Sequence, residues 1–212
     1  MKTVYFVRHG ESEMNAGNVW VGRGTKLTKK GTEQAGFVAS RCEKLPIEVI
    51  ISSTLLRAEQ TAKIVNEKIK SKIEYSDLFI ERKWPSEQIN LPKDHPKAEE
   101  AKKAVWDNFS NPEFRYSDEE NFNDLKERTR KALSFLEGRP EENILVVTHG
   151  FVLRMIVAYV VMGNELSASE CEQFVYKFHT KNTGLTVMCY EKTIKRTPWS
   201  FLVWNDYAHL TE

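Results

Sequence analysis

The chain has little that would staple it, hold a metal or cross a membrane. Its three cysteines, at 42, 171 and 189, form no C-x-x-C pair, which argues against a disulfide framework or a thiolate zinc site. Its five histidines, at 9, 95, 149, 179 and 209, show no H-E-x-x-H or similar ligand spacing, so no metal is expected. The longest apolar stretch, 155–162, is far shorter than the roughly 20 residues that span a bilayer. Lys2 and an apolar run from Thr3 leave no place for a leader peptide, and a reducing cytoplasm is the expected location. Charge of one sign is also missing. With 31 basic and 30 acidic residues the net charge is +1, so no bulk field draws nucleic acid or an anionic membrane. Any attraction for an anion must be local. No internal repeat or low-complexity tract is visible.

What is present reads as one globular domain over residues 1–212. Hydrophobic residues make up 41% and charged residues 29%, as in folded proteins of this length. Short β-branched and aromatic runs predict strands at 3–7, 49–52, 73–77, 143–147, 185–190 and 199–204. Helical spacing predicts helices at 31–44, 55–69 and 151–162. Two more helices are marked by Ala98, Ala101 and Val105, and by Phe122, Leu125, Thr129, Ala132, Leu133 and Leu136. The alternation predicts an α/β fold of three α/β/α layers, with a mostly parallel, doubly wound sheet and a late antiparallel edge. Residues 82–120, rich in Lys, Glu, Asp, Asn and Pro, read as a helical insertion capping the strand C-terminal ends.

Two strands end alike. Thr3–Val7 runs into Arg8-His9-Gly10, and Asn143–Thr148 runs into His149-Gly150. Strand ends are where open α/β sheets build their ligand crevices, and a helix N-terminus after each turn offers N–H groups to an anion. Ser52-Ser53-Thr54 supplies N-cap candidates for the next helix, whose first turn carries Arg57 off the apolar stripe. A cation there is disfavoured by the helix dipole unless an anion accompanies it. Glu81 follows the apolar run Leu78-Phe79-Ile80 and is a candidate proton donor, with Glu74, Asp77 and Glu87 as competitors. Cys42 shares an apolar helix face with Ala35, Val38 and Ala39 and reads as core.

Together, Arg8-His9-Gly10-Glu11-Ser12, Asn15, the run Ser52-Ser53-Thr54-Leu55-Leu56-Arg57-Ala58-Glu59-Gln60-Thr61-Ala62, and Thr148-His149-Gly150 resemble the histidine phosphatase superfamily, in its phosphoglycerate mutase-like branch. Asn182-Thr183-Gly184-Leu185-Thr186 is similar to a late loop-strand motif of that family. The chain departs from it after Glu81, where Arg82-Lys83-Trp84-Pro85 replaces a run that in many members contains glycine.

The resemblance implies a phosphate pocket of Arg8, His9, Arg57 and His149, with His9 forming a phosphohistidine and Glu81 as general acid and base. Asn15 and the amides of Gly22 and Gly150 are implied as further contacts. The chemistry suits these residue types. Phosphoryl transfer needs an in-line nucleophile, donors for the phosphoryl oxygens and a proton for the leaving alkoxide. Planar guanidinium forks match phosphate oxygens, and a protonated His149 would add a donor. Arg82, with Lys83, Lys93 and Lys97, hints at a second anion contact; a solvated lysine face explains the same residues. The expected partner is a small phosphate ester, without cofactor, and the oligomeric state is not readable. Hydrolysis is the first expectation. A phosphoglycerate mutase-type isomerase and a non-catalytic phosphate-ligand binder or regulator are the alternatives.

Overall fold

In the computed structural model, which describes residues 1–210, the apolar runs become six strands of one sheet. They are β1 (Lys2–Arg8), β2 (Val49–Ser52), β3 (Lys72–Tyr75), β4 (Asn143–Thr148), β5 (Leu185–Tyr190) and β6 (Trp199–Asp206). The order across the sheet is β3-β2-β4-β1-β5-β6. β1, β2, β3 and β4 are parallel, whereas β5 runs antiparallel to both its neighbours. The reversed strand is therefore interior, and β6 is the edge.

Alternate residues of each strand enter two cores, as a sheet covered on both faces requires. Phe6, Ile51, Ile144 and Val146 face one core. Val7, Ile50, Leu145 and Val147 face the other. The second core is closed by α2 (Lys29–Cys42) and α3 (Leu56–Ile69) through Val38, Ala39, Cys42, Ala58, Ala62 and Val65. The first is closed by α5 (Phe122–Glu137) and α6 (Gly150–Met162), with α4 (Pro96–Asp107) and α7 (Ala168–Lys177) beside them. α6 is apolar nearly all round because it is buried nearly all round.

Three local expectations differ from the structure. A single-turn helix, α1 (Glu13–Ala16), follows β1, closed by a capping box between Ser12 and Asn15. α3 is not capped by a serine or threonine side chain; its N-cap is Leu55, and Ser53 Oγ instead accepts from the Leu55 amide at 3.2 Å. α7 was not expected, although Ser167 and Glu170 form a capping box at its start.

The insertion does lie over the end of the sheet where β1 and β4 stop. Asn90 and Trp20 exchange backbone contacts, with Asn90 N–H donating to Trp20 O at 2.7 Å and Trp20 N–H to Leu91 O at 2.9 Å. These bonds tie the strip 82–93 to the loop after α1. Farther along, Trp106 of α4 packs on Phe151 at the start of α6, ring centroids 6.2 Å apart. Among the described residues no helix is long and apolar enough to cross a membrane.

Candidate active site

Register decides which side chains meet. In the parallel pair β1–β4, Val7 lies beside Val147 and Arg8 beside Thr148, so His9 and His149 leave the sheet side by side. Their ring centroids are 5.0 Å apart. Both are buried. The backbone under His9 is held tightly. Its carbonyl accepts from Asn182 Nδ2 at 2.9 Å, and Gly10 N–H donates to Thr61 Oγ1 at 3.1 Å. Gly10 lies backbone to backbone on α2, where a Cβ would stand 2.3 Å from Gly31 O. Only glycine permits that approach.

A hydrogen bond to a carbonyl fixes the tautomer of His9. His9 Nδ1 is 2.6 Å from Gly10 O, an obligate acceptor, so Nδ1 carries the proton and Nε2 the lone pair. Arg57 Nε donates to that Nε2 at 3.1 Å. His149 Nε2 lies 2.7 Å from Ser53 Oγ. The Ser53 oxygen accepts from Leu55 N–H and keeps both a second lone pair and its own proton, either of which can meet His149 Nε2. The other ring nitrogen, His149 Nδ1, is buried and has no partner among the described residues.

Burial and the adjoining cations hold both rings neutral. His9 sits well below the ordinary histidine value through burial first, then Arg57 and Arg8. His149 is lowered likewise by burial, then Arg57, His9 and Arg8. Without a bound anion His149 is thus neutral, because an imidazolium would be both desolvated and beside guanidinium groups. The protonated donor of the sequence reading requires the charge of a bound phosphate.

Arg8 is clamped by one end. Its Nη1 donates to Thr180 O at 2.5 Å, while its buried Nε is unpartnered among the described residues. It lies against Gly150, where a Cβ would stand 3.3 Å from Arg8 Nε and 3.1 Å from Thr180 Oγ1. Burial pulls Arg8 and Arg57 below the ordinary arginine value, and the Glu81 carboxylate opposes both shifts.

Glu81 reaches the same crevice from the insertion side. Its carboxylate accepts from Phe151 N–H at 3.2 Å, Val152 N–H at 3.3 Å and Arg82 N–H at 2.9 Å. Those amides open α6, so a side chain occupies part of the helix N-terminus that the sequence reading kept for an outside anion. The strip bearing Glu81 is anchored by Arg128, which donates to Ile80 O at 2.8 Å and pairs with Glu120. Of the competing carboxylates, Glu74 pairs with Arg139, and Asp77 with Arg23 and the Thr54 hydroxyl.

The remaining candidates divide. Gly22, Arg57 and Arg82 line one cavity together with Glu81. Asn15 is exposed, and its Oδ1 accepts from Ser12 and, at 3.4 Å, from Asn182 Nδ2. Arg82 is turned into the insertion, with its guanidinium 5.0–5.7 Å from the ring centres of Phe109, Trp84, Phe151 and Trp106. Lys83 and Lys93 are already engaged, by Asp118 and by the carbonyls of Met14 and Gly17. Burial pushes the Cys42 and Cys171 thiols to about 12, so neither competes as a nucleophile near neutral pH. Among the described residues no three or more metal-ligating side chains gather.

Ser53, Thr61 and Thr180 were not singled out as site residues, and Asn182 only as part of a motif. The serine and the asparagine carried signals, one in the Ser-Ser-Thr run after β2 and the other in the Asn-Thr-Gly run before β5.

The chain is similar to known proteins along its whole length. The model of the histidine phosphatase superfamily (branch 1) matches residues 4–206. "Probable phosphoglycerate mutase GpmB" of Erwinia tasmaniensis is 31% identical over 220 residues, covering 100% of this chain and 96% of the relative. "Putative phosphoserine phosphatase 2" of Hydrogenobacter thermophilus is 28% identical over 189 residues, 88% of each chain. Among solved structures, Bacillus stearothermophilus YhfR superposes with a TM-score of 0.80 at 21% identity, covering all of both chains. That likeness shows the fold.

Proposed function

The chain belongs to the histidine phosphatase superfamily, branch 1, and within it we propose a phosphomonoesterase that works through a phosphohistidine on His9, with Glu81 as general acid and base. One observation carries the reading. Two buried nitrogens without partners among the described residues, Arg8 Nε and His149 Nδ1, belong to the residues that flank His9, whose Nε2 lone pair already faces Arg57. Buried polar nitrogens are rarely left empty, and a phosphoryl group would satisfy both once His149 Nδ1 carries a proton.

The steps balance without further reactants. His9 Nε2 forms a bond to phosphorus as the bond to the ester oxygen breaks in line. Glu81 gives a proton to that leaving oxygen. Water then attacks phosphorus, the P–N bond breaks back to His9, and Glu81 takes the proton of the water. Arg8, Arg57 and His149 bear the charge on the phosphoryl oxygens throughout, which is where electrostatic catalysis of such transfers resides. Water has a route, since exposed Arg23, Lys83 and Ser86 line the cavity that holds Glu81 and Arg57. The three cysteines are free, which suits a reducing cytoplasm.

The phosphoglycerate mutase reading is favoured by one finding, the identity to a protein so named. A single assay set separates the readings. The enzyme incubated with 4-nitrophenyl phosphate is expected to release phosphate and, after acid quench, to carry an acid-labile phosphoryl group that His9→Asn abolishes. Transfer between the 2- and 3-positions of phosphoglycerate without net hydrolysis would establish a mutase, and binding of phosphate without either reaction a non-catalytic binder.

A further inference from the structure

Beside the phosphate donors the crevice opens into a cavity of about 270 Å³ with a mainly apolar wall. Met14, Trp20, Leu55, Ile80, Trp84 and Ile89 line it, with Arg57 and Glu81 in the same wall. Trp20 and Trp84 lie with ring centroids 5.2 Å apart, bringing the loop after α1 against the insertion. The backbone bonds between Trp20 and the 90–91 segment hold these two strips together, so the cavity exists before any ligand arrives.

We propose that this cavity seats the alcohol portion of the phosphate ester, and that the alcohol is an uncharged apolar group, alkyl or aryl. The inference rests on the phosphomonoesterase reading for its phosphate end only. The charges around the cavity point the same way. A second acidic group, as in a phosphorylated hydroxy acid, would need a free cation beside these rings. Arg57 faces His9. Arg82 is also in the cavity wall, but its guanidinium is packed among the rings of Trp84, Trp106, Phe109 and Phe151. Lys93 is spent on two backbone carbonyls. Arg23 and Lys83 pair with Asp77 and Asp118, and their exposed head groups are screened by solvent. Apolar surface is what remains, and each methylene that leaves water for it is worth roughly fourfold in affinity.

The test compares alcohols of like acidity, so that leaving-group ability does not intervene. With hexyl phosphate and ethyl phosphate as substrates, kcat/KM is expected to favour hexyl by about tenfold or more. 3-Phosphoglycerate should be poorer than hexyl phosphate. Ile89→Asn should collapse the hexyl-to-ethyl ratio, and Trp84→Ala gives a second variant should the first not fold. Binding of hexylphosphonate and ethylphosphonate, followed by calorimetry, asks the same question without turnover and should show the same preference. Equal constants for the two chain lengths, or a preference for 3-phosphoglycerate, would overturn the proposal while leaving a phosphatase in place. Chain-length preference in phosphonate binding with no hydrolysis of any ester would sustain the cavity assignment and sink the enzymatic reading instead.

Discussion

Arg57 Nε donates to His9 Nε2 across 3.1 Å, although the two residues are 48 positions apart in the chain. The lone pair that would attack phosphorus is thus occupied in the free protein by a cation. An arriving phosphoryl group, a better acceptor than a neutral imidazole, draws the guanidinium to itself and frees the nitrogen.

Arg57→Met should therefore do two things. Loss of the donor should lower kcat/KM by about 10²–10³-fold. Loss of the positive charge should also let His9 protonate more readily, because Arg57 and Arg8 act with burial to hold it low. The acid limb of the pH–rate profile should move to higher pH. A fall in rate with an unmoved acid limb would mean that Arg57 is not electrostatically coupled to His9.

The neutral histidines also set a pH dependence of stability. In the unfolded chain each would titrate near 6.5, whereas in the fold both lie well below that value. Below pH 6.5 the unfolded state therefore takes up protons that the folded state refuses. Stability falls with falling pH by up to about 1.4 kcal/mol per unit for each ring. Urea unfolding at pH 7 and pH 5 should show this loss, and His149→Asn should lessen it by about one ring's share.

Glu81→Gln should discriminate among leaving groups. Aryl phosphates leave without a proton and should retain much of their rate. Alkyl phosphates need the proton and should lose about 10²–10⁴-fold. Equal losses on both would make Glu81 a cap of α6 rather than an acid. In that event Glu81→Leu should show the loss as stability, about 1 kcal/mol, because two amides of α6 lose their acceptor.

Arg82 should matter to the fold and little to phosphate. Its guanidinium lies among four aromatic rings, and burial pulls it down to about 10. Arg82→Ala should cost about 2–3 kcal/mol in denaturant titration. Arg82→Met fills the same space and removes an incompletely hydrogen-bonded charge, so it should cost less than half as much. KM for a small phosphate ester should change little in Arg82→Met.

The sheet was legible because its strands are short apolar runs with sharp ends, and β1, β2, β4 and β5 need no tertiary context to be seen. The family was legible for a related reason: Arg8-His9-Gly10 and Arg57 sit at strand ends, where local sequence must meet chemistry directly. Other features are decided by contacts that no local pattern records. Ser53 reads as a helix cap until His149 arrives from a distant strand and claims its hydroxyl. Arg82 reads as a second anion contact or part of a solvated face because its rings come from positions 84, 106, 109 and 151. α7 is of the legible kind: Ala168, Cys171, Phe174 and Val175 repeat at helical spacing behind the capping box of Ser167 with Glu170.

The reversal of β5 settles where this protein tolerates additions. In a wholly parallel sheet, only the segments that follow strands reach the edge where ligands bind. Because β5 runs the other way, with Leu185 beside Val7, the segment that precedes it arrives there, carrying Thr180 and Asn182 to Arg8 and His9. The turn that follows β5 is sent to the opposite edge, beyond the pairing of Tyr190 with Lys2. A fluorophore at exposed Lys181 would sit next to the reaction and report on it, whereas one at exposed Lys195 would ride the far edge as a silent handle.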